Sequence, residues 1–157
     1  MANRHTVIPR TMCFVFYKDA FLLYKASEKK DWVGIYDPVG GHIEKGEDII
    51  ESANREIFEE TGLRVTDTQL KGIVHVTNFY GKNIMMFVTS STSTTQEVSS
   101  SDEGELEWVT LEDVDKIPAH EDVKPIINCL MKLKQGELFT AVSEFSDDGK
   151  LKYFNIH

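Results

Sequence analysis

Apolar and polar positions change their period along the chain, and the changes mark its elements. Residues 11–17 and 20–25 are mostly apolar and β-prone, with Lys18-Asp19 between them, a pattern that predicts a hairpin. Residues 70–76 and 83–89 repeat it around Gly81-Lys82. Glu105 and Glu107 alternate with Leu106 and Trp108, the period of a half-buried strand. Residues 138–145 and 151–156 flank Asp147-Asp148-Gly149, a good hairpin turn. The period lengthens after Asp48: Ile50, Ala53 and Ile57 follow helical spacing, and Gly62 closes that helix. Residues 111–117 predict a short helix. Residues 121–134 predict a longer one, with Val123, Ile126, Ile127, Leu130 and Leu133 on one side and Pro125 in its first turn. Residues 26–32 and the serine- and threonine-rich residues 90–101 read as loops, and Pro38 with Gly40-Gly41 breaks regular structure. Several strands and two principal helices, without a repeat, predict one α+β domain over residues 1–157, a mixed sheet between helices.

Composition narrows the class. The 157 residues are 41% hydrophobic and 27% charged, ordinary for a globular protein, and suffice for a single core. A net charge of −9 argues against a nucleic-acid backbone or an anionic membrane as partner. An acidic protein still takes a polyphosphate when metal ions neutralise the contact. Residues 1–10 hold no apolar core of signal-peptide length, and no apolar run approaches membrane-spanning length, so a cytoplasmic protein is expected. Cys13 and Cys129 have apolar neighbours and read as buried thiols of a reducing compartment.

The charges of the first helix change the picture most. At about 100° per residue, Glu56, Glu59 and Glu60 project from one side. Like charges so spaced weaken a helix by about a few tenths of a kcal/mol, and Arg55 alone does not balance three anions. A bound divalent cation would. Oxygen-rich ligation points to Mg²⁺ or Mn²⁺, and Mg²⁺ works typically with phosphates.

Gly41, Glu47, Arg55, Glu56, Ile57, Glu59, Glu60, Gly62 and Leu63 together resemble the Nudix box. That pattern is glycine, five residues, glutamate, seven residues, then Arg-Glu-apolar-x-Glu-Glu-x-Gly-apolar, and this chain meets every specified position. The resemblance implies an α/β/α sandwich and a Mg²⁺-dependent (or Mn²⁺-dependent) hydrolase of a nucleoside diphosphate linked to another moiety. It implies Glu56, Glu59 and Glu60 as metal ligands, the Gly40 carbonyl as another, and Arg55 and Glu47 as organisers of the loop and helix. Any of the three glutamates can be the general base by this resemblance. Glu103, in the acidic run 102–105, is the first choice for a further metal ligand; a solvated acidic loop explains it as well. His42 reads as structural or solvated.

Substrate class follows less directly. Residues 36–41 are similar to the loop of the oxidised-purine nucleoside triphosphatases, with Asp37 where those carry asparagine and Pro38 where they carry glycine. The resemblance places Tyr36, Asp37, the Ser101-Asp102-Glu103 run and the Ile117-Pro118 segment at the substrate, and Lys25 at its phosphates. Lys25 reads equally as a solvated lysine at a strand end, and Asp37 equally as a turn cap before Pro38. The leading expectation is hydrolysis of a nucleoside triphosphate to monophosphate and pyrophosphate by a monomer or homodimer. ADP-ribose, dinucleoside polyphosphates and nucleotide sugars are alternatives, as is a nucleotide-sensing domain without catalysis.

Overall fold

The computed structural model describes residues 4–157; residues 1–3, the first of the ten positions read for a signal-peptide core, lie outside them. Strands β1 (Ile8–Tyr17) and β2 (Ala20–Ala26) form the expected hairpin, with Phe16 opposite Phe21 and Tyr17 opposite Ala20. Beyond that turn the two strands diverge, and residues 36–42 fill the gap. First β3 (Tyr36–Pro38) pairs with Leu23, Tyr24 and Lys25 of β2. Then the carbonyls of Val39 and Gly41 accept the amides of Cys13 and Thr11 on β1, both at 2.8 Å. So the expected break at Pro38 is a change of strand partner. Proline lacks the donor that would continue the first pairing.

The remaining strands extend one eight-stranded mixed sheet. β4 (Gln69–Phe79) and β5 (Lys82–Thr92) make the second hairpin, and β5 runs parallel to β1. Ser90, Ser91 and Thr92, expected in a loop, prolong β5 because Phe14, Val15 and Phe16 offer them a parallel partner. β6 (Gly104–Thr110) lies antiparallel to β2. β7 (Phe139–Phe145) lies parallel to β4, and β8 (Leu151–Ile156) forms the third hairpin with it.

Helix α1 (Ile49–Thr61) starts where Asp48 caps the Glu51 amide and Glu51 reaches back to the Asp48 amide, and it ends at Gly62 with φ 77°. A capping interaction of this kind stabilises a helix by about 1 kcal/mol. Ala53 and Ile57 are fully buried on its sheet side. Helix α2 (Val123–Lys132) is shorter than expected at both ends. The expected helix at 111–117 is only a single 3₁₀ turn, Val114–Lys116, since Pro118 follows too closely for a second turn. Cys13 and Cys129 are free, buried thiols, as expected; burial pushes the Cys13 thiol up to about 12. No helix among the described residues is long and apolar enough to cross a membrane.

Candidate active site

The three glutamates of α1 share a side of the helix but not an environment. Glu60 is buried, and its Oε2 accepts the Gly40 amide at 3.1 Å. Burial pushes its carboxyl up to about 8, with the charges of Glu56 and Glu103 adding to the effect. Glu56 is also raised by burial, against the pull of Arg55, whose Nη1 donates to it at 3.0 Å. Glu59 is exposed and accepts from the same nitrogen at 3.2 Å.

Two glycines let the strand-changing segment approach this helix. A Cβ on Gly40, at φ 150°, would stand 2.2 Å from the Thr11 carbonyl oxygen. One on Gly41 would stand 2.5 Å from Glu56 Oε1. No side chain fits at Gly40, and one at Gly41 would push the Glu56 carboxylate out of place. The same segment is tied to α1 from below. Arg55 donates through Nε and Nη2 to both oxygens of Glu47, and through Nη2 to the His42 carbonyl at 3.1 Å. Glu47 Oε2 also accepts the Glu44 amide at 2.8 Å. His42 thus serves through its backbone, and its imidazole, lowered by burial, makes no ion pair among the described residues.

Among the described residues, no three His, Cys, Asp or Glu side chains already converge as a metal cage. Glu59 leans on Arg55, and Glu103 pairs with Lys30 at 2.5 Å. The donor chemistry nonetheless fits a hard divalent cation. The donors are all oxygen, and two of the carboxylates are held at a site where burial opposes their ionised forms. The Gly40 carbonyl adds a further oxygen, since its neighbours at Val39 and Gly41 are the ones engaged by β1.

Beside Gly40 lies a narrow cavity, whose lining includes Tyr24, Asp37, Phe79, His120 and Asp122. Backbone pairing delivers His120 there: the Tyr36 amide donates to the Pro118 carbonyl at 2.9 Å, and the His120 amide to the Tyr36 carbonyl at 3.1 Å. His120 Nδ1 then lies 3.3 Å from Asp37 Oδ1, misaligned for a hydrogen bond, so both buried atoms lack a partner. Burial alone would lower the His120 imidazole; the charge and contact of Asp37 outweigh it and raise it. Asp122, buried at the start of α2, is pushed up to about 7 by burial and then by the Asp37 charge. Trp32, Phe79 and Tyr80 pack around His120, with ring centroids 5.0 to 5.9 Å away. Trp32 therefore packs behind the cavity's Phe79 and His120, although its segment reads as a polar loop.

Of the sequence-predicted substrate residues, only Asp37 reaches the cavity. Side chains alternate across a strand, so Asp37 shares a face with its partner Tyr24, while Tyr36 shares the other face with Lys25 and Glu105. Lys25 is exposed there, and Tyr36 faces Glu107. Neither lines the cavity. Glu103, by contrast, stands close enough for its charge to be felt at Glu60. Arg10, Lys30, His120 and Asp122 escape sequence reading. They come from three separate segments, and only the Ile117-Pro118 neighbourhood carries a signal.

The NUDIX domain model matches residues 7–129. An uncharacterized Nudix hydrolase of Bacillus subtilis, YvcI, is 35% identical over 143 residues, covering 86% of this chain and 87% of that protein. Among solved structures, a MutT protein from Bacillus halodurans superposes with a TM-score of 0.81 at 29% identity, covering 96% of this chain and 97% of its own. A MutT protein from Methanosarcina mazei shares the fold with a TM-score of 0.74 at 23% identity, covering 83% and 97%.

Proposed function

The chain belongs to the Nudix hydrolase family, and from that premise we propose that it is a Mg²⁺-dependent pyrophosphohydrolase of nucleoside triphosphates, with purine or modified-purine substrates. The observation that carries this reading is the place of Gly40. Its amide holds Glu60 of the carboxylate trio, and the same residue lines the cavity of Asp37 and His120. A base in that cavity puts its phosphate chain against the carboxylates.

In this reading Glu56, Glu59, Glu60, Glu103 and the Gly40 carbonyl would hold Mg²⁺, which would supply charge neutralisation of the phosphate oxygens and a more acidic water. The chain's own residues do the rest. Arg55 and Glu47 lock residues 42–47 to α1, so that Glu56 stays aimed past Gly41. A glutamate of the trio takes the proton of the attacking water as its oxygen bonds to phosphorus. The phosphoanhydride bond breaks, and pyrophosphate leaves with the bridging oxygen's electron pair. In the cavity an ionised Asp37 only accepts, which favours a base edge rich in donors, as guanine's N1–H and amino group are. The side chain's direction into the cavity favours this role over that of a turn cap. Free cysteines accord with a cytoplasmic setting.

Phosphorus NMR of products from a panel of nucleoside triphosphates, ADP-ribose, dinucleoside polyphosphates and nucleotide sugars tests the reading. Monophosphate and pyrophosphate are expected from purine triphosphates. Orthophosphate as the primary product, or turnover confined to the other classes, overturns it.

A further inference from the structure

Two cations near the cavity have no role in the chemistry described so far. Lys30 sits in the loop after β2, its ammonium 5.9 Å from the ring centroid of Tyr24, which lines the cavity, and 5.6 Å from that of Trp32. Its side chain is only 20% exposed, and it pairs with Glu103. Arg10 projects from β1 into the cavity lining, and its Nε is buried without a hydrogen-bond partner. Leaving such a nitrogen unpartnered is costly, and an incoming oxyanion would recover that cost.

Resting on the nucleotide reading above, we propose that Arg10 and Lys30 form a two-cation clamp for the substrate's phosphate chain, one cation from β1 and one from the loop after β2. The need for it is electrostatic. A polyphosphate approaching Glu56, Glu59, Glu60 and Glu103 meets four carboxylates, and cations at fixed positions select the orientation in which the chain lies along the acidic helix. Lys30 is not required to staple its own loop. Lys29 pairs with Asp102, the Ser27 amide donates to the Glu103 carbonyl at 3.0 Å, and Ser27 Oγ donates to the Asp102 carbonyl at 2.8 Å. The ammonium is therefore free to exchange Glu103 for a phosphate oxygen, and this exchange also releases Glu103. Lys25, the cation expected from the sequence, lies on the wrong face for this role.

Calorimetric titration with inorganic imidodiphosphate, Mg²⁺ in excess, reads the clamp without turnover, and titration with guanosine reads the cavity. Lys30→Met and Arg10→Met are each expected to raise the imidodiphosphate Kd about tenfold, the scale of a lost charge-assisted contact. Lys30→Arg restores most of the loss, Lys25→Met binds as wild type, and both Met variants lose far less guanosine binding than imidodiphosphate binding. A purely structural role would lower Tm and weaken both ligands alike. Either Met variant within twofold of wild type for imidodiphosphate, or equal losses for both ligands, overturns the clamp. If the clamp variants behave as expected but no nucleoside triphosphate is bound or hydrolysed, the clamp stands and the nucleotide reading fails.

Discussion

Arg55 grips both carboxylate oxygens of Glu47, eight residues earlier, with Nη2 at 3.0 Å from Oε2. The pair closes residues 42–47 against the first turns of α1, and Arg55 spends its remaining nitrogen on Glu56 and Glu59. One guanidinium thus sets both the glycine loop and two of the glutamates. The grip holds the Glu47 carboxyl far down, at about 2 against an ordinary 4.5.

Glu47→Gln is therefore expected to lower kcat/KM by about tenfold, through loss of loop geometry rather than of a metal ligand. A depressed carboxyl contributes stability that is present above pH 4.5 and lost as pH falls through about 2. The variant's Tm should lie below wild type at pH 7, and the gap should close toward pH 2. Scanning calorimetry across that range checks the sign. An unchanged gap would mean that the ion pair is not what the substitution removed.

Glu59 and Glu60 should separate activity from stability in different ways. Glu60→Gln keeps an acceptor for the Gly40 amide and is neutral without having to take up a proton on burial, so metal-free Tm at pH 7 should rise by about a few degrees. Glu59→Gln changes an exposed residue and should leave Tm nearly unchanged. Both should cut kcat with Mg²⁺ on the order of a hundredfold or more. Steady-state kinetics beside thermal melts without metal tests the pair. Wild-type turnover in either variant removes that residue from the metal site.

The cavity carboxyl Asp122 works in the opposite sense to Glu47. Its native pKa, about 7 against an ordinary 3.8, means the folded state prefers it protonated. Its contribution is fully present below pH 3.8 and is lost as pH rises through about 7. The raised imidazole of His120 acts in the same direction, so wild-type Tm should fall between pH 5 and 8. Asp122→Asn should flatten that fall and gain Tm at pH 8 relative to wild type, with little difference at pH 4. A parallel pair of Tm–pH curves would show that Asp122 is not a strained carboxyl in the fold.

What the sequence determined by itself is what depends on neighbours along the chain. The period of Ile50, Ala53 and Ile57, the Asp48 start and the Gly62 stop made α1 legible, and with it the common side of Glu56, Glu59 and Glu60. Helix geometry converts spacing into direction, so those three residues needed no tertiary information. The three hairpins were legible for the same reason, their turns being local.

Tertiary structure decided everything that required two distant segments to meet. Ser90 to Thr92 became strand because β1 lay beside them, not because of their own propensity. Strand register decided that Asp37 faces the cavity while Lys25 and Tyr36 face away, since a shift of one residue exchanges the faces. His120 reached Asp37 only because residues 118–120 pair with the backbone of Tyr36, more than eighty positions earlier in the chain. The unequal burial of the glutamates also lay beyond the spacing. Glu60 is raised and Glu59 stays exposed because the sheet segment carrying Gly40 packs over one and not the other, and desolvation belongs to the assembled fold.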